Sequence, residues 1–479
     1  MMRLGLLWLH RRRALLLLML LALSLGLLGV SPWARGGAPG EPSLEDLAPL
    51  PLEGFQRLLV FAPHCDDEAL GAGGLILTAG RMGMDVRVVI ATNGDGYLFA
   101  TMDEFRRVYP SPQDFIRMGN LRQQESLEAL QFLGVPPEQV LFLSYPDRGL
   151  AALWTNNWRA SKPYRSPYSR ADRSPYPLTY NPQAVYAGEH LLADLLSILE
   201  SFRPDLVVYP HPNDTHPDHW SLSAFVRLAL ALAQQRDPGY RPHAYAYLVH
   251  RPGFPNGRGF HPEGGLLPPA PLFQVTPRWF RLDLSEGDAL RKWAAIQAYR
   301  SQFRLMRTFL ESFARDNELF AEVGSPDLPV LAEGDPRNPS TWRDREGEPI
   351  APVQRDPARD FFGRDVVAGG DLVALYAAQR PDGSLVTCAQ VRGRATRALV
   401  YTLRVKAVGP DGFKDLVARS DRVLHRSFST TLSGPYACHQ IASDVLGRPQ
   451  FLFVGAEVKG AEPLVLDRAA WQLLEVASP

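Results

Sequence analysis

Two short segments of the chain concentrate residue types that bind metal ions and move protons. One reads PHCDDE and carries His64, Asp66 and Asp67 directly after the apolar run RLLVFA. The other reads HPDH, with His216 and His219 three positions apart, and it comes shortly after the apolar run LVVYP. Histidine nitrogens and carboxylate oxygens are ligands of zinc, and a catalytic zinc ion keeps one position open for water. Together the two segments predict a metal site that draws its ligands from distant parts of the chain.

The elements that would position these segments alternate along residues 56–323. Runs of strand length that are apolar throughout are separated by longer segments with apolar residues at helical spacing. This alternation predicts an α/β fold, in which a mostly parallel sheet is covered by helices on both faces. Ligands of such sheets bind at the carboxyl ends of the strands. Because both segments follow a predicted strand, we expect their side chains to meet at that edge.

The N-terminus differs in composition from the rest of the chain. Several arginines precede an uncharged run rich in leucine, which predicts a signal peptide or an uncleaved membrane anchor over residues 1–30. The uncharged part is close to the shortest length that spans a bilayer, so both alternatives stay open. Residues 31–55 are rich in proline and glycine and are predicted to be a tether. We therefore expect an exported protein, membrane-anchored or secreted, that contacts the membrane through its N-terminal segment.

Beyond the α/β domain the pattern changes twice. Residues 324–365 are rich in proline, aspartate and arginine, show little periodicity, and are predicted to be a linker. Residues 366–479 contain short apolar strands separated by turn sequences such as PDG, which predicts a smaller all-β, sandwich-like domain. The chain has 51 basic and 51 acidic residues, so its formal charge is zero, and this composition shows no sign of a basic face for a nucleic acid partner.

Two further features allow more than one interpretation. In an oxidising compartment Cys388 and Cys438 could form a disulfide, which would leave Cys65 unpaired beside the acids. Sequence cannot prove this pairing. An insertion at residues 148–182 is rich in tryptophan and tyrosine, and these rings could stack on sugars or simply anchor the loop to the body of the domain.

Several motifs agree in order and spacing with a known family. PHCDDE followed by GAGG, then TNGDGY, RQQESLEA, YPDRGL and HPDH, resemble the PIG-L/LmbE-like family of zinc-dependent de-N-acetylases. The resemblance covers residues 56–323. It implies a Rossmann-like fold, a Zn²⁺ cofactor and hydrolysis of the N-acetyl group of an N-acetylated amino sugar or its conjugate. Where the family usually has proline after the first histidine, this chain has Cys65, and the family says nothing about residues 366–479.

The resemblance implies a role for each residue of the two metal-binding segments. His64, Asp67 and His219 become the zinc ligands, and Asp66 becomes the general base. His216 becomes the residue that polarises the carbonyl and protonates the leaving amine. These roles suit amide hydrolysis, which needs an activated water, a base that is not itself a ligand, and a proton for the amine.

Further residues complete the predicted site. Asp218 is expected to orient the catalytic histidine, and Arg122 and Asp147 match family positions that usually hold the substrate's sugar. Asp95 and His250 each lie at the end of a predicted strand, so we place them in the substrate pocket, although Asp95 could instead form a glycine turn.

Two acids near the site have open roles. Glu68 could cap or orient the ligands, but a structural role at the start of a helix is favoured. Asp214 could support a ligand from behind or belong only to the loop that precedes HPDH.

Two other functions compete with the deacetylase. A zinc amidase of the same fold could act on a thiol conjugate or a glycopeptide. A protein of another class, a non-catalytic carbohydrate-binding surface protein, could carry the same domain in inactive form. A binding module has no need of a general-base carboxylate, so the intact Asp66 favours an enzyme.

Overall fold

The structure is a computed structural model of the chain, and it describes residues 42–276, 278–360, 367–410, 412–422, 428–460 and 464–476. The predicted signal peptide or anchor, residues 1–30, lies outside these ranges. Within them, no helix combines the length and the apolar character that a membrane span requires.

Eight strands form the sheet of the α/β domain. They are β1 (Ala48–Pro49), β2 (Arg57–Ala62), β3 (Asp85–Thr92), β4 (Val140–Tyr145), β5 (Leu206–Pro210), β6 (His243–Tyr247), β7 (Arg278–Asp283) and β8 (Asn317–Glu322). Their order across the sheet is β1-β7-β8-β6-β5-β2-β3-β4. The run from β6 to β4 is parallel, whereas β8 is antiparallel to both β6 and β7. The chain order reverses between β2 and β5, and such a switch point is where ligands bind in open α/β sheets.

Nine helices accompany this sheet in the described part of the chain. They are α1 (Asp67–Arg81), α2 (Leu98–Phe105), α3 (Pro112–Phe132), α4 (Leu150–Thr155), α5 (Gly188–Phe202), α6 (Pro217–Arg236), α7 (Ala270–Phe273), α8 (Glu286–Ala298) and α9 (Arg300–Leu310). Successive residues of a strand point to opposite faces of its sheet. Thus Val60 of β2 lies in a core shared with α1 and α8, whereas Phe61 lies in a core shared with α5 and α6. The predicted α/β fold, with helices on both faces of a mostly parallel sheet, is confirmed.

The helix after β2 packs unusually close to the sheet. A Cβ added to Gly71 of α1 would lie 2.1 Å from Cδ2 of Tyr247, so only glycine fits at this position. The Tyr247 hydroxyl in turn donates to the carbonyl oxygen of Phe61 at 2.9 Å. The small residues of this helix therefore bring its first turn, with the acids of PHCDDE, down onto the strand ends.

The tether prediction is wrong for its described part, residues 42–55. Leu47, Leu50 and Leu52 are buried in the domain core, and β1 pairs in parallel with β7. Residues 31–55 are rich in proline and glycine, and that composition conceals these spaced leucines. The α/β domain therefore includes this stretch.

The linker prediction is also wrong for residues 324–360. Leu331, Trp342 and Ile350 are buried in a cluster beneath one sheet of the C-terminal domain. The Leu331 amide donates to the Gln379 carbonyl oxygen at 2.8 Å. Part of this irregular segment is therefore hydrogen-bonded to the backbone of the C-terminal domain. Its low periodicity reflects irregular but packed structure.

The C-terminal domain consists of two packed antiparallel sheets. Its elements are β9 (Gln354–Arg355), β10 (Leu372–Gln379), β11 (Leu385–Val391), β12 (Val400–Gly409), β13 (Gly412–Arg419), β14 (Phe428–Ser433), β15 (Tyr436–Ile441), α10 (Ser443–Leu446), β16 (Phe451–Lys459), β17 (Val465–Arg468) and β18 (Gln472–Glu475). One sheet has the order β14-β15-β11-β10-β9 and the other β13-β12-β16-β17, with β18 also paired to β16. Apolar residues of both sheets share one core. The predicted all-β sandwich is therefore present.

The predicted disulfide joins two neighbouring strands of the sandwich. Cys388 of β11 lies directly opposite Cys438 of β15, with their Cα atoms 4.0 Å apart, and the two are bonded. Cys65 stays free and buried, as expected for the unpaired cysteine. The pairing prediction is confirmed.

The sandwich and the α/β domain share a hydrophobic core. Trp154 of α4 makes edge contacts with Phe453 and Trp471 of the sandwich, with ring centroids 5.3 and 5.5 Å apart. Trp158 stacks on Phe413 at 3.9 Å. These two tryptophans of the aromatic insertion therefore anchor the loop and join the domains, and they are not available for sugar stacking.

Candidate metal centre and active site

The turn after β2 carries the first half of the site and is held in an unusual backbone conformation. Asp66 has a φ of +151°, which L-residues rarely adopt. Arg122 donates to the Cys65 carbonyl oxygen at 2.6 Å and to the Asp66 carboxylate at 3.1 Å. A third donation, to the Gly94 carbonyl oxygen at 2.9 Å, ties the turn to the end of β3. A Cβ at Gly94 would meet Arg122 at 1.7 Å, so the glycine makes room for this clamp.

Glu68 holds the same turn from the other side. Its carboxylate accepts the Asp66 amide at 3.0 Å and the Tyr299 hydroxyl at 2.6 Å. Ser126 adds a third donor at 3.1 Å. Glu68 therefore has a structural role, as the sequence favoured, and it fixes the backbone of Asp66 in particular.

Three potential ligand atoms converge at the switch point. His64 Nδ1 lies 2.9 Å from Asp67 Oδ2, and His219 Nε2 lies 3.1 Å from the same oxygen. The two histidine nitrogens are 3.3 Å apart. Ligands about 2.1 Å from a tetrahedral metal lie a little over 3 Å from one another, so these spacings fit a metal bound by all three. The predicted ligand set is thus assembled at one point, from the loops after β2 and β5.

Carboxylates behind the triad orient both histidines. His219 Nδ1 lies 3.0 Å from Asp214 Oδ2, and Asp214 also accepts the His250 amide at 2.9 Å. Burial disfavours a charged ring, but Asp214 and Asp67 outweigh it and raise the pKa of His219 to about 9. A carboxylate on the second ring nitrogen is the usual support of a metal-binding histidine. Asp214, whose role the sequence left open, is therefore the partner of the predicted ligand His219.

Asp218 does not orient His216, so that prediction is wrong. Its carboxylate accepts the backbone N–H groups of Arg148 and Leu150, at 2.6 and 3.0 Å, and lies 3.2 Å from His64 Nε2. His216 instead caps α6, since its Nδ1 accepts the Asp218 amide at 3.3 Å. Asp218 is fully buried at the start of that helix and points towards the loop after β4. It therefore contacts the predicted ligand His64.

Two groups that can exchange protons face the same cavity as the triad. Burial raises the pKa of Asp66 to about 7, against the opposing effect of Arg122. Burial, followed by the charges of His64, His219 and His250, lowers the pKa of His216 well below its usual value. Neither side chain belongs to the converging triad of His64, Asp67 and His219. The arrangement thus pairs a metal site with a carboxylate and an imidazole beside it.

The cavity above the triad has a volume of 180 Å³. Its walls contain three of the four predicted substrate residues: Arg122, Asp147 and His250. Asp147 accepts the Gly96 amide at 2.7 Å and lies 3.4 Å from His64 Nε2, so it also contacts a predicted ligand. The His250 ring stacks on Phe309 at 5.3 Å.

Asp95 does not line this cavity, and its placement in the substrate pocket is wrong. Its carboxylate accepts the Tyr176 hydroxyl at 2.9 Å, which anchors the aromatic insertion to the loop after β3. Burial, followed by the charge of Asp147, raises the pKa of Asp95 to about 7. Asp95 thus lies after the predicted strand, as expected, but its side chain does not reach the cavity.

Several wall residues were absent from the sequence-based site. They are Leu70, Tyr97, Arg148, Gln302, Met306 and Phe309. Met306 and Phe309 come from α9, whose sequence shows only ordinary helical spacing. Arg148 directly follows Asp147 in YPDRGL, and Tyr97 lies two positions after Asp95 in TNGDGY, so proximity to predicted site residues was the available signal.

Comparison with known proteins adds a family and several relatives. Residues 59–230 match the PIG-L family model, described as GlcNAc-PI de-N-acetylase. The 1D-myo-inositol 2-acetamido-2-deoxy-alpha-D-glucopyranoside deacetylase of Mycobacterium sp. (strain KMS) is 32% identical over 197 residues, which cover 40% of this chain and 56% of that relative. The protein of the same name from Corynebacterium diphtheriae is 30% identical over 172 residues, 35% of this chain and 50% of the relative. The chain thus spans about half the length of these curated relatives.

Solved structures resemble the chain more distantly. The N,N'-diacetylchitobiose deacetylase from Pyrococcus horikoshii is 21% identical, with a TM-score of 0.36 over 58% of this chain and 86% of its own. A likeness of this size carries no argument about function. The family match, in contrast, spans both metal-binding segments and the strands before them. The part of this chain that resembles the PIG-L family is therefore residues 59–230.

Proposed function

We propose that this protein is a zinc-dependent de-N-acetylase that releases acetate from an N-acetylated amino sugar or its conjugate. The observation that carries the proposal is the convergence of His64, Asp67 and His219 beside a carboxylate and a histidine that are not part of the triad. A ligand triad that opens on a cavity, with an acid–base pair beside it, is the equipment of a metal-assisted hydrolase.

The donor set suits zinc. Two imidazoles and one carboxylate are borderline ligands that zinc accepts, and three protein ligands leave a position open for water and substrate. The carboxylates behind each histidine fix the ring nitrogen that faces the metal. When bound, zinc would act as a Lewis acid on the substrate carbonyl and lower the pKa of a bound water to about 7.

The protein's own residues would divide the proton transfers. Asp66, held by Arg122 at 3.1 Å, accepts the proton of the water that attacks the acetyl carbon. His216, on the cavity wall, must first take up a proton, because its pKa is lowered, and then gives it to the amine nitrogen as the bond to the acetyl carbon breaks. The products are acetate and the free amine. Asp147 and Arg148 supply polar groups on the wall for the hydroxyls of a sugar.

The substrate class rests on the relatives. The family description and the names of the curated relatives both refer to N-acetylglucosamine-type compounds. The 180 Å³ cavity is small, which suits an acetamido group together with part of one sugar ring. We extend the proposal to an N-acetylglucosamine unit, with the rest of the substrate outside the cavity.

We further propose that the protein works outside the cytoplasm, anchored in the membrane or secreted. The disulfide between Cys388 and Cys438 supports this location, because such bonds persist in oxidising compartments. Fusion of residues 1–60 to a reporter that is active only after export tests it. A reporter that stays inactive while a known signal sequence activates it would contradict the location and leave the chemistry untouched.

The enzymatic proposal is tested by removing and restoring the metal. A chelated, metal-free preparation should release no acetate from N-acetylglucosamine compounds, and stoichiometric zinc should restore the activity. The panel should include thiol conjugates and glycopeptides, with acetate, thiol and amine measured separately. Full activity without bound metal would refute the proposal, and release of thiol without acetate would favour the amidase. Binding of sugars with no product from any substrate would favour the non-catalytic surface protein.

A further inference from the structure

A second group of acids lies at the junction of the α/β domain and the sandwich. Asp356 follows β9, Asp360 lies in the next turn, and Asp467 belongs to β17. One carboxylate oxygen from each lies within 4.8 Å of the others. Asp356 and Asp467 are only 4% and 8% exposed. Acids from two distant chain segments thus share one enclosed space, which we call the junction cluster.

The protein satisfies the junction cluster only in part. Asp467 accepts two backbone N–H groups, at 2.7 and 2.8 Å. One oxygen of Asp360 accepts from Arg251 at 2.7 Å. Among the described residues, Oδ2 of Asp356 and Oδ1 of Asp360 have no hydrogen-bond partner. Buried polar atoms are almost always paired, so these two oxygens point to a ligand.

The charge of the cluster is also unbalanced. Of the described residues, Arg251 alone makes an ion pair with the three carboxylates. If all three carboxylates were ionised, one guanidinium would leave an excess of two negative charges. Burial, followed by the charges of Asp360 and Asp467, raises the pKa of Asp356 well above its usual range. A divalent cation would remove this excess.

The cluster has space for an ion and its waters. Asp360 and Asp467 line a cavity of 220 Å³, whose walls include Trp220 and Trp471. Oxygens within 4.8 Å of one another can share one cation with metal–oxygen distances of about 2.3–2.6 Å, the range of calcium. The donors are all carboxylate oxygens. Calcium takes oxygen ligands in flexible geometry, whereas zinc prefers nitrogen and sulfur, and magnesium demands a near-ideal octahedron.

We propose that Asp356, Asp360 and Asp467 bind a calcium ion that fastens the sandwich to the loop after β6. Arg251 belongs to that loop, pairs with Asp360, and donates to the Asn213 carbonyl oxygen at 2.9 Å. Asn213 is the neighbour of Asp214, the partner of the ligand His219. The ion would thus hold the sandwich against the loops that carry the second half of the active site.

Terbium luminescence tests the site in the full-length, zinc-loaded protein. Tb³⁺ substitutes for Ca²⁺, and Trp220 and Trp471 are close enough to sensitise it. We expect a saturable signal that Ca²⁺ displaces, with an affinity that falls roughly tenfold or more in Asp356→Asn and Asp467→Asn, since each removes a charged ligand. Asp382→Asn is the matched control, because that acid lies in an exposed turn of the same domain. A signal unchanged in both cluster variants but lost in Asp67→Asn would place the ion at the active site and overturn the proposal.

Thermal unfolding in calcium-free buffer gives a second readout, in which the variant is expected to be no less stable than the parent. Without calcium, Asp356→Asn should unfold at the same temperature as the parent or higher, because the substitution relieves repulsion between buried charges. With calcium, the parent's Tm should rise and the variant's should not, since only the parent gains from ligand binding. A parent protein whose Tm and terbium signal both ignore calcium would overturn the proposal, and the carboxylates would then hold protons.

Discussion

The active-site acids are buried, as are Asp356 and Asp467 of the junction cluster, yet the two groups differ in their hydrogen-bond partners. At the switch point, Asp67 and Asp214 contact histidine nitrogens at about 3 Å, and Asp218 also receives two backbone amides. At the junction, Asp356 and Asp360 each keep an oxygen with no partner among the described residues. The first group is oriented by the fold before any ion binds. The second group becomes fully satisfied only when an ion is present.

This difference separates two uses of a buried charge. Oriented groups around the triad serve chemistry, where each ligand and each proton donor must already be in place. The junction acids serve attachment, where ion binding itself supplies stability. Variants of the first group should therefore change zinc binding or turnover in graded steps. Variants of the second should change stability only when calcium is present.

Replacing the two histidines of HPDH should give the largest effects. His219→Ala removes a triad ligand, so the protein should lose its zinc and its turnover. His216→Ala should keep the zinc but lower turnover by roughly 10²–10⁴-fold, the usual contribution of a proton-transfer group. Zinc per chain and acetate release measure both outcomes.

The matched control for this pair is His243→Ala, an exposed histidine at the start of β6, which should change neither quantity. If His219→Ala retained a full equivalent of zinc, the triad would be refuted. If His216→Ala lost the metal, this residue would be a ligand and the division between the two histidines would fail.

Asp214→Asn should have the next largest effect, on zinc affinity. The asparagine keeps the size of the side chain but removes the charge that faces His219 Nδ1 at 3.0 Å. Loss of such a partner typically weakens metal binding by about 10–100-fold. Competition with a zinc-binding dye measures the affinity. Asp356→Asn should leave zinc affinity unchanged. If both variants lost the same zinc affinity, the proposed difference between the two groups of acids would be wrong.

Local patterns in the sequence located the chemistry but not its supports. PHCDDE and HPDH each follow an apolar strand, and strand ends in a parallel sheet meet at one edge, so the triad was accessible from the sequence and the family resemblance. The partner of each histidine depends on how a loop turns. In that geometry the Asp218 carboxylate lies next to His64 Nε2. The Asp95 carboxylate accepts the Tyr176 hydroxyl and does not line the cavity.

Contacts between distant segments were the least predictable. β7 and β8 extend the sheet by antiparallel pairing, which strand–helix alternation does not indicate. Asp356 and Asp467 lie more than a hundred positions apart, in a proline-rich stretch and a short strand. Composition made the first stretch look like a linker. Its packing depends on contacts with the sandwich, and those contacts come from residues that are distant in the sequence.

Tyr299→Phe should have a smaller effect, on turnover alone. It removes the hydroxyl that donates to Glu68 at 2.6 Å, and Glu68 in turn holds the Asp66 amide. We expect kcat to fall a few-fold with KM and zinc affinity unchanged, because Asp66 is displaced while the triad is not. The free energy of unfolding should fall by about 1 kcal/mol, the usual contribution of one hydrogen bond.

Tyr145→Phe provides the matched control for this positioning role. Its hydroxyl donates to the Asp194 carboxylate at 2.8 Å, and neither residue lines the cavity. Both variants should lose similar stability, but only Tyr299→Phe should lower kcat. An equal loss of kcat in the two variants would show that Tyr299 contributes only stability.

Cys65→Pro should have the smallest effect of all. The Cys65 side chain is fully buried, and burial raises the pKa of its thiol well above the usual value, so a thiolate ligand for zinc is disfavoured. The described backbone hydrogen bonds include none donated by its amide, so a proline would remove no such bond. The carbonyl oxygen that accepts from Arg122 would remain. We therefore expect unchanged zinc content and turnover. Loss of zinc would instead mean that the Cys65 sulfur takes part in the metal site, and Cys65 would no longer count as a passive residue of the turn.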